Sequence, residues 1–103
     1  MNISIGTDKL DQNFYNFYKK LQEIYPTLLD KIIPIITNEF KNWKEDFQIL
    51  DFNNEFNIDN ITIPNVNIKP LDWEISYTTI HDKNHWINIS FTEFEPTGIM
   101  IDG

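Results

Sequence analysis

The sequence predicts an α+β fold: two N-terminal helices packed on one face of an antiparallel sheet of about four strands. Three observations carry this. Apolar residues recur at helical spacing through the first half of the chain. From Trp73 onward the period becomes two, in a stretch rich in β-branched and aromatic residues. The helical text comes first and the strand text after it, the order expected of helices gathered on one side of an antiparallel sheet.

After a short segment at 2–6, Thr7 or Asp8 can cap a helix. Leu10, Phe14, Phe17, Tyr18, Leu21, Ile24 and Tyr25 form its apolar stripe. It should end or bend near Tyr25, because Pro26 disfavours helical backbone in the residue before it. A second helix is expected over 26–47, with a stripe of Leu29, Ile32, Ile33, Ile36, Phe40, Trp43 and Phe47. Leu28 and Ile35 fall outside that stripe. Pro34 lies within it and costs about 3 kcal/mol in a straight helix, which predicts a kink or two shorter helices.

Residues 48–59 are acidic, asparagine-rich and without a steady period, and read as a loop with a short strand at 48–52. Residues 60–63 and 65–68 each alternate, and Pro64 between them suits an edge strand or two short ones. Residues 73–91 form the clearest hairpin in the chain, with Asp82, Lys83 and Asn84 as its turn. That turn opposes Ile80 to Trp86, Thr79 to Ile87, Tyr77 to Ile89 and Ile75 to Phe91. One face then carries Ile75, Tyr77, Ile87, Ile89 and Phe91; the other carries Glu74, Ser76, Thr78, Asn88, Ser90 and Thr92, with Ile80 and Trp86 near the turn. A turn at 95–98 and a last short strand at 99–101 complete the sheet.

With 103 residues the chain is one domain, 1–103, with enough length for a single core. It contains no cysteine, which removes disulfides and thiolate-ligated zinc and suits a reducing compartment. The opening residues show no signal-peptide pattern and no apolar run can span a bilayer, so a cytoplasmic location is expected. Net charge is −8, and residues 51–103 hold nine acids against Lys69 and Lys83 alone. Such a surface repels phosphate backbones and attracts a basic protein. The chain has no arginine, so bidentate capture of phosphate or carboxylate is out of reach.

Catalytic signals are weak. His81 and His85 flank the hairpin turn, and with Asp82 they could bridge a metal, but two histidines and one acid have no diagnostic spacing. Glu74, Glu93 and Glu95 could share a sheet edge, as a solvated acidic rim would. The few serines (Ser4, Ser76, Ser90) lie in no nucleophile elbow, and three glycines cannot build a phosphate-cradling loop. The expectation is a non-enzyme that needs neither cofactor nor metal.

The aromatics point to binding. Trp86 belongs to the polar series of the hairpin beside Ile80, and a tryptophan ringed by hydroxyls, amides and acids has the composition of an interface hot spot. The rival reading has the 48–68 segment folding over Trp86. A short, cysteine-free, strongly acidic domain without a catalytic motif resembles the small bacterial immunity proteins that neutralise contact-delivered toxins. The resemblance covers size, charge and helix-then-sheet layout, and rests on no motif. It implies a basic toxin, often a nuclease, as partner. Contact is then expected at Trp86, Ile80, Glu74 and Asp82, with further acids from Asp51, Glu55 and Asp59. Two other readings stand beside it: a homodimeric structural or regulatory module, and, more remotely, a small enzyme or ligand binder with a pocket between helices and sheet that holds both histidines.

Overall fold

A computed structural model describes residues 2–5, 12–63 and 69–102. The fold is α+β. Its elements are β1 (Asn2–Ile5), α1 (Gln12–Phe40), α2 (Phe52–Glu55), β2 (Phe56–Ile63), β3 (Asp72–Thr79), β4 (Asp82–Thr92) and β5 (Glu95–Asp102). The five strands lie in sequence order; β2 to β5 run antiparallel, and β1 joins the edge parallel to β2. The segment at 2–6 thus supplies a fifth strand. The expected cap at Thr7 or Asp8 and the alternating 65–68 stretch lie outside the described residues.

The two expected helices are one. α1 runs 29 residues through both Pro26 and Pro34, about 43 Å of helix along a molecule whose longest dimension is 44 Å. Phe17, Leu21, Leu28, Ile32, Ile36 and Phe40 are buried along it. Six such side chains contribute about 1.5–3 kcal/mol each, against about 3 for each proline, so burial wins. Both prolines face solvent, and the carbonyls their missing N–H groups release belong to the exposed positions Gln22 and Asp30, where water can reach them. Leu28, outside the expected stripe, is buried.

The helix stops at Phe40 rather than Phe47. A run of tight turns follows, in which the Lys44 N–H donates to the Phe40 carbonyl and the Phe47 N–H to that of Lys44. This reversal stacks Phe47 on Phe40, ring centroids 4.7 Å apart, and leaves Trp43 outside with half its surface exposed.

The expected loop at 48–59 instead contains α2 and the start of β2, which is an inner strand rather than an edge. A bulge at Asp59 resets its phase, so that Phe56 and Ile58 precede the bulge and Ile61 and Ile63 follow it on the same face. That one extra residue erased the period from the sequence.

The hairpin faces are those the alternation predicts. Ile75, Tyr77, Ile87, Ile89 and Phe91 are buried under the helix. The register differs by two residues: Tyr77 faces Ile87, Ile75 faces Ile89 and Trp73 faces Phe91. An even slip leaves every side chain on its own face. The turn is Ile80 and His81, Thr79 pairs with Asp82, and Thr78 stands opposite the irregular 83–86 stretch of β4. The β4–β5 turn also moves, from 95–98 to Glu93 and Phe94. Glu93 takes a left-handed φ of 53°. It is held there because its N–H donates to the Leu71 carbonyl, its Oε1 accepts the Leu71 N–H, and its carbonyl accepts the Trp73 indole N–H.

Candidate functional site

Two places gather polar and exposed apolar side chains: the β3–β4 turn, and the sheet face opposite the helix.

Glu55 organises the first. It ends the single turn of α2, and its Oε2 reaches back to accept the N–H groups of Leu50 and Asp51, at 2.9 and 2.6 Å. Its Oε1 meets His81 Nε2 at 2.6 Å, while its backbone carbonyl accepts the Thr79 hydroxyl and the Ile80 N–H. The His81 ring packs edge-on against Phe47, 4.9 Å between centroids. The Asp51 N–H, and after it His81, hold the Glu55 carboxyl below the ordinary carboxylate range. Glu55 is nearly buried and committed to the fold, so of the expected contact residues it is the one the surface does not offer. It also explains the turn: three bonds from Thr79, Ile80 and His81 to one residue place the reversal at Ile80 and His81, ahead of the asparagine-bearing stretch.

His85 has a separate partner, its Nδ1 2.8 Å from the Asp82 carboxylate. Each imidazole has its own carboxylate, and among the described residues no three His, Asp or Glu side chains gather at metal-binding spacing. The His85 contact is the main cause of a lowered pKa at Asp82.

Carboxyls with lowered folded pKa values contribute stability that is full above the unfolded value of about 4 and is lost as pH falls through the folded one. Stability should hold between about pH 7 and 5 and decline below about pH 4. Glu55→Gln, followed by urea denaturation at each pH, should flatten that acid limb and lower Tm at neutral pH by several degrees. An unaltered limb would remove Glu55 from the account.

The second place is polar, with a shallow open hollow over Thr62, Glu74 and Ser90. Adjacent strands present rows of short side chains, Asn60 beside Ser76 beside Asn88 beside Met100, and Thr62 beside Glu74 beside Ser90 beside Gly98. Ser76 donates to Asn88 at 2.6 Å and Thr92 to Asp72 at 2.7 Å. Trp86 stands directly opposite Asp102 and diagonal to Met100; the two apolar side chains are 46% and 65% exposed. Asp72, Glu74 and Asp102 supply negative charge, and among the described residues of this face there is no lysine.

The expected contact residues therefore divide. Trp86 and Glu74 share the helix-free face. Ile80, Asp82 and Asp51 surround the β3–β4 turn, with Ile80 58% exposed. Asp59 sits exposed on the β2 bulge. Met100 lay inside the expected 99–101 strand but was not assigned to a face, and Asp102 lay one residue past it; carrying the strand's alternation on to 102 places both on one face. Leu50 and Trp43 are both exposed; Leu50 carried no period to reveal it, and the helical period assigned Trp43 to the buried stripe, because the helix was read on past Phe40. Neither histidine lines the pocket described between helix and sheet. The cavity between helix and sheet is apolar instead, with Leu21, Tyr25 and Pro26 above and Ile58, Ile61 and Ile75 below.

No protein-family model, curated protein or solved structure matches this chain. No helix among the described residues is long and apolar enough to cross a membrane.

Proposed function

We propose that the chain is a non-enzymatic acidic binding domain, an immunity or inhibitor protein of the cytoplasm that docks a basic toxin domain and occludes its substrate site. The observation that carries this reading is Trp86, half exposed on a sheet face that bears acids, amides and hydroxyls and no described lysine. A large amphipathic ring amid short polar side chains is an anchor for a partner's pocket. The net charge of −8 steers a basic partner toward it. Ile80, Asp82 and Asp51 extend the contact around the β3–β4 turn.

The test is an affinity screen for a basic partner, followed by co-expression with the toxin domain it recovers, with growth rescue and affinity measured together. Trp86→Ala should weaken binding about thirtyfold or more, the scale of a tryptophan hot spot. Glu74→Lys should slow association and reduce its salt dependence. Tyr15→Ala, on the exposed helix surface, serves as control. Rescue and affinity left intact by both site variants would reject the reading.

A second reading has one observation in its favour: β5 is an eight-residue strand at the edge of the sheet, with no strand paired along its outer side among the described residues. Pairing with a second copy would give a two-fold dimer. Sedimentation over a range of concentrations separates the two, since a chain that stays monomeric has no such pairing.

A further inference from the structure

A half-open apolar pocket of about 270 Å³ lies in the seam between α1 and the sheet. Leu21 and Pro26 wall it from the helix, Ile58, Ile61 and Ile75 from the sheet, and the exposed Gln22 stands at its rim.

One polar group on its wall is fixed by its neighbour. The Tyr25 and Tyr77 hydroxyls lie 2.7 Å apart. Tyr77 is fully buried, and a buried hydroxyl proton without an acceptor is costly, so Tyr77 is the donor and Tyr25 the acceptor. The Tyr25 proton is then left to donate elsewhere, and Tyr25 is half-buried on the cavity wall. No lysine or histidine lines the cavity among the described residues, so nothing there would neutralise a carboxylate ligand.

We propose that this cavity binds a small neutral, largely apolar molecule carrying one hydrogen-bond acceptor, such as a ketone or ester, which takes the Tyr25 proton. The apolar walls, with Tyr25 oriented by its neighbour and the side chains of Tyr18 and Gln22 beside it, are those of a site for a small ligand. This site lies on the side of the sheet opposite Trp86 and does not depend on the protein-docking reading.

The test is titration of the purified chain with 6-acetyl-2-dimethylaminonaphthalene, a neutral fluorophore whose carbonyl is the acceptor. Saturable one-to-one binding with a blue-shifted emission is expected, and no saturation would overturn the proposal. The parent 2-dimethylaminonaphthalene, which lacks the carbonyl, should bind about five- to tenfold more weakly, the scale of one hydrogen bond. Tyr25→Phe should erase that difference between the two probes. Gln22→Trp, at an exposed helix position where folding is insensitive, should block the mouth and weaken both probes about tenfold or more. Should Tyr25→Phe fail to fold, the probe comparison and Gln22→Trp still decide: equal affinities, or binding untouched by Gln22→Trp, would overturn the assignment.

Discussion

Trp73→Ala is expected to cost about 3–5 kcal/mol of folding stability, the range for emptying a buried aromatic site. That is a large share of the 5–15 kcal/mol typical of a domain this size. Trp73 is buried where the helix meets the far end of the sheet. Its ring stacks on Phe91 with centroids 4.3 Å apart and meets Phe17 edge-on at 5.1 Å. Its indole N–H donates to the carbonyl of Glu93, the residue held in left-handed backbone. Removing the ring therefore opens a void between three elements and unties the β4–β5 turn at once. Urea unfolding is the measurement, with Trp86→Ala as control. Trp86 is half exposed and touches no core aromatic, so its loss should fall within about 0.5 kcal/mol. If the two variants unfolded at the same urea concentration, Trp73 would not be the keystone of that corner.

The second large effect is expected at high pH. Burial, with Tyr25 beside it adding to the shift, pushes the Tyr77 phenol far above its usual value, and burial also raises that of Tyr25. A group whose folded pKa is raised contributes stability that is full below the unfolded value of about 10 and is lost as pH rises above it. Each pH unit above 10 should remove about 1.4 kcal/mol through Tyr77 alone. The phenolate absorbance of Tyr77 should then appear together with loss of near-ultraviolet circular dichroism, in one cooperative step. Tyr77→Phe should flatten this alkaline limb while costing little at neutral pH, because the half-buried Tyr25 hydroxyl can turn to water. Titration of all four tyrosines before the fold is lost would contradict the buried pair.

Much of the architecture was legible because it depends on period. The 73–91 alternation named the buried face of the hairpin, and a register wrong by two residues did no harm, since two is the repeat of a strand. What failed were the ends of elements. Pro26 read as a helix terminus and is an exposed interior residue of one long helix. The Asp82, Lys83 and Asn84 stretch read as the turn, but Glu55, about 25 positions earlier, draws the reversal back to Ile80 and His81. The β4–β5 turn read as 95–98 and is Glu93 and Phe94, with Glu93 pinned by Leu71 and Trp73. In each case a local preference of a few kcal/mol or less yielded to contacts between residues far apart in the chain.

The candidate site divides along the same line. Trp86 and Glu74 could be placed on the helix-free face from alternation alone. Glu55 could not be told from its acidic neighbours, because nothing in its local text says that two backbone N–H groups and an imidazole converge on it. By itself the sequence determined the fold class, the two faces of the central hairpin and the acidic character of the outer surface, all properties that repeat along the chain or sum over it. Only the tertiary structure decided where the helix runs on through its prolines, where the strands reverse and which acids are spent inside. Those outcomes turn on burial and hydrogen bonding between distant residues, and no short window of sequence contains both partners.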